Sequence, residues 1–451
     1  MQDKDLPSSP PTIADTRTDR ALSRRTLLQG AVTLAAAATA GGLLSACSKD
    51  PEAPTGASSA DPKASGVPAA GPSVEQPDVR IGFVAVQSSA PLIVAYEKGF
   101  FKKHGLNVTL SKENGWAAAR DKLATGENQA SHLKYAQPIA STLGLFGSTA
   151  LPMIAPWTLC RNGSVFMYAA SLKGQLSFDP KTWKAVADAF KAKNEPFTIA
   201  LPWPGGWHGL MYRHFLANGG INADKELKIV TQPPAQMVQN LKVGQMHACA
   251  MVEPWGYRGV QEGVSLIAMY GHEMWKDHPI KSLGLIEAWA EQNPKTTRAI
   301  IRAVAEASVW CDDFANRPEL AMMLSTPSYI NATPESILEP MMGNFDWGDG
   351  RKASDKTLAI SYSRDTHPQA REIKWFLAQF RRWGMTEGDP DYDGIAKKVG
   401  RPDIYAEVMQ ELGVPAQPAN DDAIKLWDGT SFEHQNAAEI AKSFAIHNMK
   451  R

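Results

Sequence analysis

Val79-Arg80-Ile81-Gly82-Phe83-Val84-Ala85-Val86 is the stretch on which the fold turns. Its apolar and β-branched side chains partly alternate, which predicts a strand. A helix over 90–101 follows, closing near Gly99 and the Lys102-Lys103-His104-Gly105 turn; a strand over 106–110 and a helix over 116–125, stopped at Gly126, come next. Strand and helix in alternation place a parallel sheet beneath covering helices. The alternation returns downstream as strand 197–201, helix 208–218, strand 228–231, helix 234–243 and strand 248–252. Two such α/β runs predict two lobes with a cleft between them, and ligands in open α/β sheets bind beyond the carboxyl ends of the strands.

Beyond Ser282 the pattern becomes helical, with helices over 295–315 and 370–383. A shorter helix begins at Pro334 with Thr333 as its N-cap and is expected to end near Glu339, because Pro340 follows. Residues 348–368 are polar and turn-rich. The boundaries are then 79–173 for the first part of lobe 1, 174–281 for lobe 2, and 282–412 for a return to lobe 1 with a helical C-terminal extension. Hinges are expected near Ala170 and Ser282, and residues 413–451 as a loosely held polar tail.

Upstream of the body, Ser23-Arg24-Arg25 precedes an alanine-rich apolar run that ends in Leu44-Ser45-Ala46-Cys47. The run is too short and too weakly apolar to span a bilayer comfortably and reads as an export signal over 1–47. The Arg24-Arg25 pair points to the Tat route. The tetrapeptide resembles a bacterial lipobox, which makes Cys47 the acylated first residue of the mature chain. Multiple acyl chains on one cysteine exceed what stable membrane attachment requires. Residues 48–78, rich in proline, alanine, serine and glycine, have too few large apolar side chains to fold and read as a flexible linker.

Composition narrows the function. Lysine plus arginine and aspartate plus glutamate are 47 each, so charge gives no support to nucleic-acid or broad membrane-surface binding. With 43% hydrophobic residues the chain has ample core. Beside Cys47, only Cys160, Cys249 and Cys311 remain, an odd number without metal-ligand spacing. No metal or cofactor is expected.

One turn carries binding chemistry. Pro204-Gly205-Gly206-Trp207-His208 lies between a strand and a helix. Gly205 and Gly206 admit close backbone approach, the helix N-terminus offers free N–H groups, and His208 adds an imidazole, so the turn reads as an anion site or as a glycine-rich turn with a capping histidine. Lys281 and the indole N–H of Trp116 are further candidates for the same cleft, although a loop lysine by itself reads as a solvated charge and a tryptophan at a helix start as packing. Glu253, in Glu253-Pro254-Trp255, follows a strand end, where its carboxylate caps a helix, contacts ligand or holds a cation. No nucleophile elbow, Walker loop or His-Glu-x-x-His motif is present, and His132, His214, His247 and His278 read as structural or surface groups.

The order of further segments makes a family resemblance specific. Tyr96-Glu97-Lys98-Gly99-Phe100-Phe101, Trp116 with Arg120-Asp121-Lys122-Leu123-Ala124, Cys160-Arg161-Asn162-Gly163, and Pro204-Gly205-Gly206 with His208 come first. Pro233-Pro234 with Gln236-Met237-Val238, Lys242-Val243-Gly244, Glu253-Pro254-Trp255, His278-Pro279 with Lys281-Ser282, and Phe345-Asp346-Trp347-Gly348 complete the run. From about residue 80 to about 410 the chain resembles the substrate-binding proteins of nitrate and bicarbonate ABC transporters. The resemblance implies a two-lobed periplasmic-binding-protein-like (type II) α/β fold that closes on a small anion, nitrate or nitrite foremost, and passes it to a permease with its ATPase subunits. It matches Trp116, His208 and Lys281 to the family's ligand tryptophan, histidine and lysine. Retaining both basic groups sets the chain apart from the bicarbonate branch, and Ser164 stands where a glutamine is expected. A receptor for bicarbonate or for a small organic anion such as a sulfonate, a regulatory nitrate sensor, and an enzyme of the pyrimidine-precursor synthase type are the alternatives, the last requiring His208 or Cys160 with an orienting partner.

Overall fold

The computed structural model describes residues 73–147 and 149–449. Arg24, Arg25, Cys47 and nearly all of the expected linker lie outside the described residues. Ten strands build the two lobes: β1 (Asp78–Val84), β2 (Asn107–Glu113), β3 (Ala130–Lys134), β4 (Met153–Arg161), β5 (Ser164–Ala169), β6 (Thr198–Leu201), β7 (Lys228–Thr231), β8 (Ala248–Val252), β9 (Ser265–Tyr270) and β10 (Pro279–Ile286). Lobe 1 has strand order β2-β1-β3-β10-β4 and lobe 2 has β7-β6-β8-β5-β9. In each sheet three strands run parallel, as the alternation predicts. The other two are the strands that enter and leave across the lobes, and they pair antiparallel, so both sheets are mixed.

The crossing points differ from those expected. β4 ends in lobe 1 at Arg161 and β5 begins in lobe 2 at Ser164, so the chain crosses at Asn162-Gly163, both with positive φ (62° and 78°). Ala170 lies beyond β5, and Ser282 lies inside β10; the return crossing is the 271–278 segment before it. β4 and β5 are buried along their whole length, so no polar break marks the crossing in sequence. The two crossings are laced together. Asn162 Nδ2 donates to Asp277 Oδ1 (3.1 Å), the Asp277 amide donates to Asn162 Oδ1 (2.9 Å), and the Asn162 amide donates to the His278 carbonyl (3.1 Å). Just before the crossing, the fully buried Arg161 pairs with Glu372 through two contacts, 2.6 and 3.2 Å.

The first helix is two, Ala90–Glu97 and Phe100–Lys103, because Gly99 takes a left-handed conformation (φ 77°) between them. Thr333 caps its helix as expected, accepting from the Ser336 amide at 3.2 Å, but the helix runs through Pro340 to Met341. A proline in the last turn forfeits one backbone bond at a point where the ladder is ending anyway. Residues expected in the linker are already tied down: Glu75 accepts from the Thr296 amide (2.8 Å), and Gln76 accepts from Trp289 Nε1 (3.1 Å).

The extension spans both lobes rather than resting on the first. Gln87 of lobe 1 donates to the Ile337 carbonyl (2.7 Å), while the adjacent Ser336 donates to Gln261 of lobe 2 (2.6 Å). In the helix Ala370–Arg382, Phe376 stacks on Tyr135 of lobe 1 (5.6 Å), and Arg382 Nη1 lies 2.6 Å from His214 Nδ1 of lobe 2. The expected loose tail is instead a short hairpin (Ile424–Lys425 with Ser431–Phe432) and a helix (Ala437–Ser443). Its few apolar side chains are spent on burial, with Phe432 and Ala441 in the core. Asp428 accepts from His214 Nε2 and Asn218 Nδ2, each at 2.8 Å.

Candidate functional site

Adjacent strands of lobe 1 present two lysines side by side. Lys134 closes β3 and is the register partner of Lys281 in β10, so both side chains share a face. Trp116 starts the helix Trp116–Ala124, and Gln137 fixes it to Lys134: Gln137 Nε2 donates to the Trp116 carbonyl (2.7 Å), and Oε1 accepts from the Lys134 amide (3.0 Å). The two ammonium nitrogens lie 4.8 Å (Lys134) and 4.9 Å (Lys281) from the centre of the Trp116 ring.

Lobe 2 meets this face with the turn that sequence singled out. Gly206 precedes the helix Trp207–Asn218, and a Cβ there would fall 2.8 Å from Lys134 Cδ; one on Gly205 would fall 2.3 Å from the Phe146 ring. The glycines thus admit a lysine stem and an aromatic ring from lobe 1. His208 Nδ1 lies 3.4 Å from Lys134 Nζ. When Lys134 is protonated its ammonium can only donate, which puts Nδ1 in the accepting role and the ring proton on Nε2. Trp207 stacks on His278 at 3.9 Å. His278 Nδ1 lies 2.8 Å from the Trp275 carbonyl and donates to it, which leaves Nε2 as an acceptor. A Cβ on Gly271 would meet His278 Nε2 at 2.7 Å and Ser164 Cβ at 2.8 Å, so Ser164 and His278 close the far end of the cluster.

Every one of these groups is out of water: Lys281 and His278 are 0% exposed, His208 and Ser164 1%, Trp116 and Lys134 2%. Yet Trp116 Nε1, Ser164 Oγ, His208 Nε2 and Lys281 Nζ have no hydrogen-bond partner among the described residues. Buried polar atoms are nearly always paired, and unpaired donors gathered from both lobes are the kind of set that a bound ligand would satisfy. Burial pushes Lys281 down to about 7, with the Cys160 thiol opposing. Burial also pulls His208 well below the usual imidazole range, helped by Lys134, Lys281 and His278 and opposed by the Met251 carbonyl. Lys134 falls well below the lysine range through burial and then Lys281. The charges that bear on Lys134 and His208 are thus all basic, the setting in which an anion restores the protonated forms.

Glu253 takes one of its three expected roles. Its Oε2 accepts from the Tyr257 amide at 2.9 Å, capping the helix Trp255–Gln261, and burial pushes the carboxyl up to about 7. Its backbone bridges the lobes, donating to the Gly163 carbonyl (3.1 Å) and accepting from the Gln87 amide (3.0 Å). Sequence reasoning missed Lys134 and set His278 aside. The available signal was a lysine ending a strand otherwise without long polar side chains, Ala130-Ser131-His132-Leu133-Lys134.

Comparison with known proteins agrees with this architecture. The NMT1-like family matches residues 73–325. The nitrate/nitrite binding protein NrtA of Nostoc sp. is 32% identical over 94% of this chain and 99% of its own. The crystal structure of the periplasmic nitrate-binding protein NrtA from Synechocystis is similar with a TM-score of 0.78 at 32% identity, covering 83% of this chain and all of that one. The nitrate import ATP-binding protein NrtC of Synechocystis is 30% identical over 84% of this chain, a match that spans 56% of NrtC. The chain belongs to the NMT1-like family, as a relative of the nitrate/nitrite-binding proteins.

Proposed function

We propose that this protein is the extracytoplasmic solute-binding component of an ABC transporter, capturing nitrate or nitrite between its lobes and delivering it to a permease and its ATPase subunits. The observation that carries the reading is the set of four buried donors without partners, contributed by both lobes. A planar oxyanion accepts on every oxygen. Lys281 and the indole N–H of Trp116 reach it from lobe 1, and His208 Nε2–H from lobe 2. Charge-assisted hydrogen bonds of this kind are short and strong, and each contributes about 1.5–3 kcal/mol. Because donors come from both lobes, ligand favours the closed form by differential contact, with the Asn162-Gly163 and 271–278 crossings as the hinge. Ser164 is shorter than glutamine, so its hydroxyl reaches less far into the cleft.

Export and anchoring rest on Arg24, Arg25 and Cys47, which supply a route out of the cytoplasm and a lipid attachment. An extracytoplasmic address favours uptake over cytoplasmic sensing. Catalysis finds little support. The Cys160 thiol is buried and pushed up to about 12. Ser88 Oγ lies 3.1 Å from His132 Nε2, but His132 Nδ1 faces the Val84 amide at 3.4 Å, so Nε2 carries the proton and is not available to remove one from Ser88.

The test is calorimetric titration of the purified chain with nitrate, nitrite, bicarbonate and a small sulfonate. Nitrate or nitrite binds, and His208→Ala and Lys281→Ala each weaken binding by roughly tenfold to a hundredfold. Nitrate binding untouched by both substitutions removes this site from the reading.

A further inference from the structure

We infer that Lys134 is a second cationic ligand group, so that the anion is gripped by a lysine pair against Trp116 and a proton enters the site with it. The inference rests on the anion-receptor reading and deepens it. Lys134 and Lys281 are directly opposed on β3 and β10, and like charges so placed repel. An unpaired buried ammonium is costly, and two together gain the framework nothing. The molecule nevertheless accommodates Lys134 with some care. Gly206 lacks the Cβ that would collide with the lysine stem at 2.8 Å, and Gln137 holds the Lys134 backbone to that of Trp116. The lysine therefore reaches across the cleft to His208 of lobe 2, the one pairing between the lobes made by basic groups alone in this cluster.

The groups facing Lys134 define its charge balance. Lys281 comes from β10, His208 from the helix Trp207–Asn218, and His132 from its own strand. His278, from the return crossing, bears on His208, and the Cys160 thiol of β4 bears on Lys281. All but the thiol are basic. Burial holds both lysines toward their neutral forms, at Lys134 with repulsion from Lys281 added, and a bound negative charge reverses that preference. The proton that then enters comes from solvent; no bond is made or broken beyond N–H.

The experiment titrates the full chain with nitrate, nitrite and methanesulfonate at pH 8, in Tris and in triethanolamine, two cationic buffers of different ionisation enthalpy. The heats are expected to differ between buffers by the uptake of about half a proton or more per anion. Lys134→Gln should weaken the bound anion tenfold or more and reduce the uptake. Lys134→Met, of similar volume, should melt at or above wild type without anion and lose most of the anion-induced rise. Wild-type affinity and proton uptake in Lys134→Gln would overturn the inference. So would a lowered melting temperature with unchanged affinity, or loss of folded protein in both variants, since each assigns Lys134 to the framework. Binding of methanesulfonate alone, with the same Lys134 dependence, would overturn nitrate as the ligand and leave the lysine pair standing. Binding of none of the three would overturn both.

Discussion

Replacing Lys281 with methionine should stabilise the anion-free protein, by an amount that shrinks as pH rises. In the folded protein the lysine falls from 10.5 to about 7. A difference of about 3.5 units corresponds to roughly 5 kcal/mol at the low-pH limit, at 1.36 kcal/mol per unit. The sign follows from proton counts. Between the two values the unfolded chain holds more protons on this residue than the folded one, so the wild-type penalty is largest at low pH and fades upward through that window. Half-protonated at neutrality, Lys281 costs about 4 kcal/mol at pH 7 and about 2 kcal/mol at pH 9. Methionine fills a similar volume, so repacking should subtract less than about 1.5 kcal/mol. The buried thiols of Cys249 and Cys311 are pushed up and pull stability the other way in mildly alkaline solution, but both proteins share them and that part cancels; Cys160 loses the opposing pull of Lys281 in the variant, which shrinks the gap further as pH rises. Urea unfolding followed by circular dichroism at pH 7, 8 and 9, without added anion, reads the gap. With saturating nitrate the gap should narrow by about 1.4–2.7 kcal/mol, the tenfold to hundredfold difference in affinity expressed as stability. A variant less stable than wild type at pH 7, or a gap that ignores pH, would refute the reasoning.

Three further outcomes are expected. Ser164→Gln should keep or tighten nitrate binding, as calorimetry would register, because the longer amide adds a donor at the Gly271–His278 end. Glu372→Gln should destabilise by about 2 kcal/mol in urea unfolding, since it leaves the buried Arg161 guanidinium with Asp365 as its remaining carboxylate partner. Truncation after residue 412 should lower the melting temperature by several degrees, through loss of the Asp428–His214 contact and the packing of Phe432.

The parts of the fold legible in sequence were those with local punctuation. The strands at 228–231 and 248–252 stand between helices with clear ends, and Thr333 announces its helix by a side chain that caps it. β4, β5 and β9 escaped because they are buried on both faces; they read as apolar runs without alternation, and nothing local says where such a run changes lobe, while β3 is buried throughout although Ser131, His132 and Lys134 are polar. Among the site residues, His208 announced itself by the glycines before it. Trp116 and Lys281 carried no local signal, and only the family resemblance and the folded register bring them together. Lys134 is the sharpest lesson. A lone lysine normally reads as solvated, and its burial follows from a pairing between β3 and β10 that lie far apart in the chain. The tail misled for a related reason: its mean polarity hid a few well-spaced apolar residues, each of which finds a socket.

The extension's grip on both lobes changes how the molecule must move. A two-lobed clamp joined only at its crossings swings freely, and its resting opening is set by thermal motion. Here Ser336 and Arg382 touch lobe 2 while their neighbours touch lobe 1, so separation of the lobes must tear or slide a seam distant from the ligand. That seam acts as a brake on opening whether or not an anion is present. Retention and surrender of cargo then answer to different parts of the molecule, the lysine cluster governing the first and the extension the second. A docking partner that pried at the extension would have leverage over the cleft without entering it.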